Sequence, residues 1–348
     1  MNPYILTILL LGLGLGTSLT ISSSHWVLVW MGLEINTLAI IPLMTQHHHP
    51  RATEAATKYF LTQATAATIM LFSATMNAWL TGLWNIQGLT HPLFSTMMVT
   101  ALALKLGLAP VHSWMPDVIQ GLDLTTGLIM STWQKLAPFI ILAQIQINTH
   151  PTMILLGITS ILVGGWGGLN QTQLRKILIY SSIAHLGWMV MIMQFSPTLA
   201  LLALTTYFIM TAATFMIFKV NKTTTINMLA LSPTKTPAPT SLAPLLLLSL
   251  GGLPPLTGFM PKWMILQELT KQDLTPLATM AAISALLSLF FYLRLSYTIT
   301  LTTFPNIYTT STPWRLPITK PTLTLTTAIS MTLMLLPLTP TIIATLTH

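Results

Sequence analysis

Charged side chains are scarce in this sequence. Of its 348 residues, 14 are Lys or Arg and 6 are Asp or Glu, which makes 6% in all, whereas a soluble domain carries about 25% charged residues. Apolar residues make up 53% of the chain, and its mean hydropathy is +0.72. So few charges cannot cover the surface of a soluble protein of this length. The composition therefore predicts an all-α polytopic membrane protein.

Cysteine is absent altogether. Disulfides, structural cysteine-zinc sites and cysteine-bound iron-sulfur clusters all require its thiol group. The sequence therefore excludes these sites, and any electron transfer has to take place in other chains. The net charge of +8 does not indicate nucleic-acid binding, because the basic residues are scattered and form no basic patch.

Long apolar stretches occur throughout the chain. A helix needs about 20 mainly apolar residues to cross a membrane core about 30 Å thick, and eleven such stretches can be counted. They lie at residues 3–22, 25–44, 59–80, 93–110, 125–146, 152–169, 177–194, 198–218, 242–267, 275–299 and 322–346. We expect each stretch to form a transmembrane helix. The segments between them are too short for a soluble domain, so residues 1–348 are predicted to form a single membrane domain.

The positions of the basic residues predict the orientation of these helices. Short loops on the cytoplasm-like side of a membrane collect Lys and Arg. With eleven helices and the N-terminus on that side, ten basic residues fall there and only Lys271 falls on the opposite side. The ten are Arg51, Lys58, Arg175, Lys176, Lys219, Lys222, Lys235, Arg294, Arg315 and Lys320. The odd number of helices places the C-terminus opposite the N-terminus.

Four ionisable residues lie inside the predicted helices, namely Glu34, Lys105, Lys135 and Lys262. A charge at the bilayer centre costs between about 2.5 and more than 10 kcal/mol, so such residues usually face the protein interior or a water-filled path. Burial makes a lysine easier to deprotonate, and a neighbouring carboxylate opposes this effect. Three lysines with one glutamate therefore favour a proton relay, although any one of these lysines is equally compatible with a structural ion pair.

A ten-residue motif occurs twice, 145 residues apart. Residues 107–116 read GLAPVHSWMP and residues 252–261 read GLPPLTGFMP, with five identical positions. Proline inside a helix removes a backbone hydrogen bond, so Pro110, Pro254 and Pro255 predict a broken helix in each copy. Matched pairs of broken helices mark the ion sites of transporters that are built from repeats. The alternative is a chance recurrence of glycine and proline.

Polar residues accompany both breaks. Lys105 precedes the first copy of the motif, Lys262 directly follows the second, and His112 lies within the first. The predicted helix at 177–194 also carries four polar residues: Tyr180, Ser181, Ser182 and His185. Hydroxyl and imidazole groups there can hold ordered water along a proton path. Hydrogen bonding between helices is an equally good explanation.

Three segments together resemble a known family. They are residues 103–117 (ALKLGLAPVHSWMPD), 133–138 (WQKLAP) and 180–187 (YSSIAHLG). They look like the antiporter-like membrane subunits of respiratory complex I, NADH:ubiquinone oxidoreductase, and the resemblance covers essentially the whole chain. It implies two inverted repeats, each with a broken helix. The repeats would lie at about 25–194 and 198–299, followed by a C-terminal transmembrane helix at 322–346.

The resemblance also implies roles for individual residues. Glu34 and Lys105 match the family's glutamate-lysine pair, and Lys135 matches its central lysine. Lys262 matches the residue of the second broken helix that exchanges protons with one side of the membrane. Two histidines match polar positions along the hydrated axis, His112 and His185. The chain is thus expected to translocate protons while other subunits carry electrons from NADH to ubiquinone.

The implied setting is the mitochondrial inner membrane, with the N-terminus in the matrix and the C-terminus in the intermembrane space. No cofactor is expected in this chain, whereas NADH, FMN, iron-sulfur clusters and ubiquinone are expected in other subunits. The expected partners are lipids and other membrane-arm subunits, including neighbouring antiporter-like subunits, and not nucleic acid. Two other functions stay open: a stand-alone cation/proton antiporter, and a structural scaffold subunit.

Overall fold

The computed structural model describes residues 2–46, 49–89, 91–145, 150–234, 236–301 and 323–347. Within these ranges the regular structure is helical, apart from isolated antiparallel bridges that pair His25 with Asn85 and Gln173 with Thr225. This confirms the all-α class for the described chain. Three basic residues used in the orientation argument lie outside the described ranges: Lys235, Arg315 and Lys320.

Contacts within the chain divide it into two compact units, residues 1–157 and residues 158–348. The first unit contains α1 (Pro3–Ser22), α2 (Trp26–Met44), α3 (Pro50–Thr81), α4 (Pro92–Leu106), α5 (Trp114–Gly121), α6 (Leu124–Ser131) and α7 (Trp133–Gln144), and α8 (His150–Gly168) crosses its limit. The second unit contains α9 (Leu174–Ile192), α10 (Pro197–Val220), α11 (Ile226–Ala230), α12 (Pro237–Gly251), α13 (Phe259–Lys271), α14 (Thr275–Leu301), α15 (Leu323–Met334) and α16 (Thr339–Thr347).

Proline and glycine mark helix ends in the first unit. Pro3, Pro50 and Pro92 are the first residues of α1, α3 and α4. Proline is tolerated there because the N–H groups of a helix's first turn have no acceptor within the helix, so proline's missing N–H breaks no hydrogen bond. The residues that cap the C-terminal ends of α3 and α4 are Gly82 and Gly107, whose φ angles of +72° and +74° are left-handed. Glycine adopts this conformation without the steric cost that a Cβ atom would add.

Helices α1 and α2 pack closely through glycine. A Cβ atom on Gly16 would collide with the side chain of Asn36 and lie 2.8 Å from the Gly32 carbonyl oxygen. Small residues let helix backbones approach in this way within a membrane. Large apolar side chains elsewhere on α1 are exposed: Tyr4, Ile5, Ile8, Leu10, Leu11, Leu15 and Ile21. A surface of this kind suits contact with lipid.

Helix α9 is buried along nearly its whole length. Of its 19 residues, 16 are buried, and they include Ser181, Ser182 and His185. The helix packs against α10, α13 and α14. A Cβ atom on Gly164 of α8 would lie 2.6 Å from the backbone nitrogen of Ala184, so glycine also permits close packing here. These contacts place the polar residues of α9 inside the second unit.

In the part of the chain that the structure describes, five helices are long and apolar enough to cross a membrane: α1, α2, residues Pro151–Gly168 of α8, α10 and α14. They support a polytopic membrane protein, as the composition predicted. Single helices or pairs of helices occupy each of the eleven predicted stretches as far as the structure describes them. Their number as membrane crossings, and the inverted relation of the repeats, stay predictions.

Two helix breaks were not anticipated. The stretch at 125–146 consists of α6 and α7, which are separated at Thr132. The C-terminal stretch at 322–346, expected as one helix, bends by 67° after α15. Pro337 lies at this bend and explains it, because proline has no N–H to offer the carbonyl of Leu333. The structure thus divides the expected C-terminal helix into two bent segments, which together are long and apolar enough to cross a membrane. A single crossing by this stretch stays a prediction.

Candidate functional site

The first proline-associated helix break lies between α4 and α5. Gly107 ends α4, and a cis peptide bond precedes Pro110. Because Pro110 has no N–H, it cannot continue the hydrogen-bond pattern of α4. The indole Nε1 of Trp114, the first residue of α5, donates a hydrogen bond of 3.2 Å to the Leu104 carbonyl oxygen. A side chain from beyond the break thus binds a backbone acceptor near the end of α4.

The second break, between α12 and α13, has a similar backbone and a different side chain. Gly252 caps the C-terminal end of α12 with a φ angle of +81°, and a cis peptide bond joins Pro254 to Pro255. The Nζ atom of Lys262 donates a hydrogen bond of 2.8 Å to the Gly251 carbonyl oxygen. The structure therefore breaks both helices at the predicted prolines, and it places one predicted lysine directly on a break.

A small cavity in the first unit is lined by Lys105 of α4 and Lys135 of α7. Its volume is about 20 Å³, which is room for about one water molecule. Ten other residues complete the lining: Leu33, Asn36, Thr37, Tyr59, Gln63, Trp114, Met115, Met130, Gln134 and Pro138. Only 7% of Lys105 and 2% of Lys135 is exposed. The fold thus brings two predicted residues from separate helices to one buried site.

Glu34 of α2 lies near this cavity without lining it. Its Oε2 atom is buried and has no hydrogen-bond partner among the described residues, and the same holds for the Nζ atom of Lys105. The two groups interact electrostatically without a hydrogen bond between them. A half-buried acid and a buried base therefore lie close together, each with a buried polar atom that has no hydrogen-bond partner among the described residues.

Lys262 has polar neighbours in the second unit. It shares a tightly packed pocket with Ser181 and His185 of α9 and with Ser288 and Tyr292 of α14. The Ser181 hydroxyl donates to the Leu178 carbonyl oxygen, 2.7 Å away within its own helix, and the Ser182 hydroxyl does the same to Ile179 at 2.8 Å. The predicted residues Ser181, His185 and Lys262 therefore meet, whereas Ser182 does not line this pocket.

Two predicted polar residues lie elsewhere. The Tyr180 ring packs against Gly167, where a Cβ atom would collide with it. His112 is partly exposed within the first break, and its Nδ1 atom lies 3.3 Å from the Pro110 carbonyl oxygen. Neither residue lines the pocket or the cavity that contains a predicted lysine.

Several polar residues at these sites were missed in the sequence analysis. Asn36 and Gln63 line the first cavity, and Asn36 Oδ1 and Gln63 Nε2 are buried without a partner among the described residues. Tyr292 and Ser288 line the pocket of Lys262, and the Tyr207 ring lies 5.6 Å from that of His185. The sequence does indicate these residues, because polar side chains inside apolar helices are unusual, whether they are amides, hydroxyls or lysines.

Ion pairs at the surface differ from these buried groups. Lys58 Nζ lies 2.8 Å from Glu54 Oε1 and 3.8 Å from Asp117 Oδ2, and all three side chains are at least 46% exposed. The hydrogen bond from Lys58 lowers the pKa of the Glu54 carboxyl from its ordinary value. These pairs link α3 to α5 in a solvated region and provide exposed counterparts to the buried charges.

Two proline-broken helices with buried lysines, in a polytopic helical chain, define an antiporter-like membrane subunit. Residues 23–288 match the family model described as "NADH:quinone oxidoreductase/Mrp antiporter, TM". Residues 289–343 match the model for the C-terminus of NADH dehydrogenase subunit 2.

Similar proteins make the assignment more specific. The chain is 66% identical over 343 residues to NADH-ubiquinone oxidoreductase chain 2 of Tetraodon nigroviridis and 65% identical over 346 residues to that of Gadus morhua, with 99% of each chain covered. A solved structure of respiratory complex I from Thermus thermophilus, with bound aureothin, contains a chain that is 28% identical. The match has a TM-score of 0.85 and covers 97% of this chain and 79% of that chain.

The chain therefore belongs to the NADH-ubiquinone oxidoreductase chain 2 family. It is a membrane subunit of NADH:ubiquinone oxidoreductase, respiratory complex I. The resemblance inferred from the three sequence segments is confirmed.

Proposed function

We propose that this subunit translocates protons through the glutamate and lysines inside its apolar helices, driven by the electron transfer that other subunits perform. Glu34, Lys105 and Lys135 form the set in the first unit. Lys262, with His185 beside it, forms the set in the second unit. The chain contains no cysteine that could ligate an iron-sulfur cluster. The proposal assigns these clusters, and also NADH, FMN and ubiquinone, to other subunits of the complex.

The shared cavity of Lys105 and Lys135 carries this proposal. Two ammonium groups beside one cavity repel each other in a low-dielectric interior, so proton occupancy of one lysine disfavours occupancy of the other. A cavity with room for about one water molecule, lined by amide and ammonium side chains, is suited to pass a proton between them. A lysine that changes its protonation state during turnover accounts for this arrangement.

The scaffold hypothesis predicts a different arrangement. A buried charge that only stabilises a fold is usually paired and hydrogen-bonded, because an unpaired one is costly. Glu34 Oε2 and Lys105 Nζ have no such hydrogen bonds among the described residues. Their unused bonding capacity favours groups that gain and lose protons. The stand-alone antiporter hypothesis has less support, because the relatives with high identity over nearly the whole chain are named as chain 2 of an oxidoreductase.

The test is replacement of Lys105 or Lys135 by Met in the assembled complex. We expect fewer protons pumped per NADH oxidised, measured in sealed vesicles. Lys58→Met is the matched control, because it removes an exposed lysine of the same chain. Normal proton stoichiometry in both buried-lysine variants would contradict the proposal. Loss of assembly in both, with normal stoichiometry in whatever complex remains, would favour the scaffold.

The setting of the subunit is part of the same proposal. We place it in the mitochondrial inner membrane as eleven spans in two inverted repeats, with the N-terminus in the matrix and the C-terminus in the intermembrane space. The ten-to-one distribution of basic residues supports this orientation. The proposed neighbours are other membrane-arm subunits, among them antiporter-like subunits, and lipids against exposed apolar faces such as that of α1.

A further inference from the structure

The hydrogen bond between Lys262 and Gly251 follows from the positions of the prolines. In an uninterrupted helix the Gly251 carbonyl would accept a hydrogen bond from the N–H of residue 255. Residue 255 is proline and has no N–H, so the carbonyl at the end of α12 is left without its helical donor. The Lys262 Nζ atom occupies that position at 2.8 Å. The break in the helix thus creates the acceptor that binds the lysine.

Gly252 leaves room for the lysine side chain. A Cβ atom at this position would lie 3.0 Å from both the Cδ and the Nζ atoms of Lys262. Gly252 also has a φ angle of +81°, which disfavours any side chain. The last residue of α12 and its glycine cap therefore form a seat for Lys262, which we define as the Gly251 carbonyl together with the space beside Gly252.

The electrostatics of this seat favour a positive charge. The C-terminal end of a helix carries a partial negative charge, which stabilises cations. A hydrogen bond from an ammonium group to a carbonyl is also stronger than one between neutral groups. A protonated Lys262 therefore stabilises the break more than a neutral one does.

The first break lacks this arrangement, although its backbone is similar. The residue that corresponds to Lys262 in the repeated motif is Asp117, whose carboxylate pairs with Lys58 at 3.8 Å. The side-chain donor at the first break is the neutral indole of Trp114, and the corresponding residue in the second copy is Phe259, which has no N–H. At the first break the imidazole of His112 contacts the Pro110 carbonyl within the break, not the end of α4. Among the described residues, an ammonium group binds the helix-end carbonyl at the second break, whereas a neutral indole binds the one at the first.

We infer that the Gly251 carbonyl and Gly252 are positioning elements for Lys262, and that the proton on Lys262 and the geometry of the α12–α13 break are coupled. Protonation holds the lysine in its seat and stabilises the break. Loss of the proton weakens the bond and loosens the junction between the two helices. This inference rests on the proposed role of Lys262 in proton transfer.

The first experiment compares Gly252→Ala with Gly82→Ala in the assembled complex. Both place a side chain at a left-handed position, with φ angles of +81° and +72°. The added methyl group meets Lys262 in the first variant and nothing within 4 Å in the second, which lies outside both candidate sites. We expect only Gly252→Ala to lower the number of protons pumped per NADH oxidised. Equal effects of the two variants would overturn the inference.

A double-variant cycle separates positioning from simple destabilisation. If Gly252 acts through the lysine, Gly252→Ala causes no further loss of pumping when Lys262 is already Met. An additional loss in that background would show a role independent of Lys262 and overturn the inference. Normal pumping by the Lys262→Met complex would instead show that proton transfer does not need Lys262. That result would contradict the proposed role of this lysine, and it can be told apart from a failure of the inference about Gly252.

Hydrogen exchange gives a second measurement that does not require the glycine variants to assemble. Amides of the break, such as those of Leu253, Leu256 and Gly258, should exchange faster in Lys262→Met than in the unchanged complex. Lys262→Arg keeps a charged donor and should restore slow exchange. Exchange that is the same in all three complexes would contradict the coupling between the lysine and the break.

Discussion

The indole of Trp114 is hydrogen-bonded to the carbonyl oxygen of Leu104, 3.2 Å away, from the opposite side of the first helix break. The Trp114 ring also contacts the ring of Tyr59, with centroids 5.9 Å apart, and it lines the cavity that contains Lys105 and Lys135. One side chain therefore links the broken helix, helix α3 and the buried lysines.

Replacing Trp114 with Phe should destabilise the first break. The variant removes the indole donor to the Leu104 carbonyl, which keeps a hydrogen bond of 3.2 Å from the Gly107 N–H. The expected cost is therefore that of one hydrogen bond, about 0.5–1.5 kcal/mol. Faster hydrogen exchange of amides between α4 and α5 is the expected result. The control is Trp26→Phe, because Trp26 is equally a buried tryptophan but its Nε1 has no partner among the described residues. Slow exchange in the Trp114 variant would mean that this bond does not hold the break.

Replacing Glu34 with Gln should impair proton pumping without a large change in shape. The amide is close in size to the carboxylate and removes the charge that interacts with Lys105. We expect fewer protons pumped per NADH oxidised by the assembled complex. Glu54→Gln is the control, because that side chain is 63% exposed. If the two variants pump equally well, the charge of Glu34 plays no part in the relay.

Replacing Gly16 with Ala should disturb the packing of α1 on α2. The added methyl group would collide with Asn36 and approach the Gly32 carbonyl oxygen to 2.8 Å, and overpacking of this kind costs about 1–3 kcal/mol. Lower yield of the assembled complex and a lower thermal midpoint are expected. Gly14→Ala provides the comparison, because a Cβ atom there meets nothing within 4 Å. Equal losses from both variants would point to helix propensity or lipid contact instead.

The orientation can be tested with single introduced cysteines. The chain has no native cysteine, so any label on it comes from the introduced residue. Lys58→Cys should react with a membrane-impermeant maleimide only from the matrix side, and Lys271→Cys only from the intermembrane-space side. Both native side chains are exposed, at 46% and 62%. Labelling of both positions from the same side would contradict the predicted number of spans between them.

Prediction from the sequence succeeded where a local pattern has one structural consequence. The limits 3–22 expected for the first helix agree with α1, because a continuous apolar run bounded by polar residues has few alternatives in a membrane. The breaks near Pro110 and Pro255 followed from the missing proline N–H. The bend at Pro337 has the same cause, although it lies outside the repeated motif.

Other features could not be predicted, because they depend on helices that are distant in sequence. Lys105 and Lys135 were predicted as separate intramembrane charges, and only the packing of α4 near α7 brings them to one cavity. Asn36 and Gln63 lie there for the same reason. Tyr180 shows the reverse case, since it is close to Ser181 in sequence but packs against Gly167.

The sequence by itself determined the helical membrane class, the places where proline interrupts helices, and the identity of the few charges inside apolar segments. Each of these depends on a residue's own chemistry or its near neighbours along the chain. The tertiary structure alone decided which polar groups lie together and which side-chain donor binds the carbonyl at the end of each broken helix. The Nζ atom of Lys262 binds the Gly251 carbonyl, whereas the Nζ atom of Lys105 makes no hydrogen bond to the described residues. That difference arises because side-chain partners are chosen by distance and direction in the packed chain.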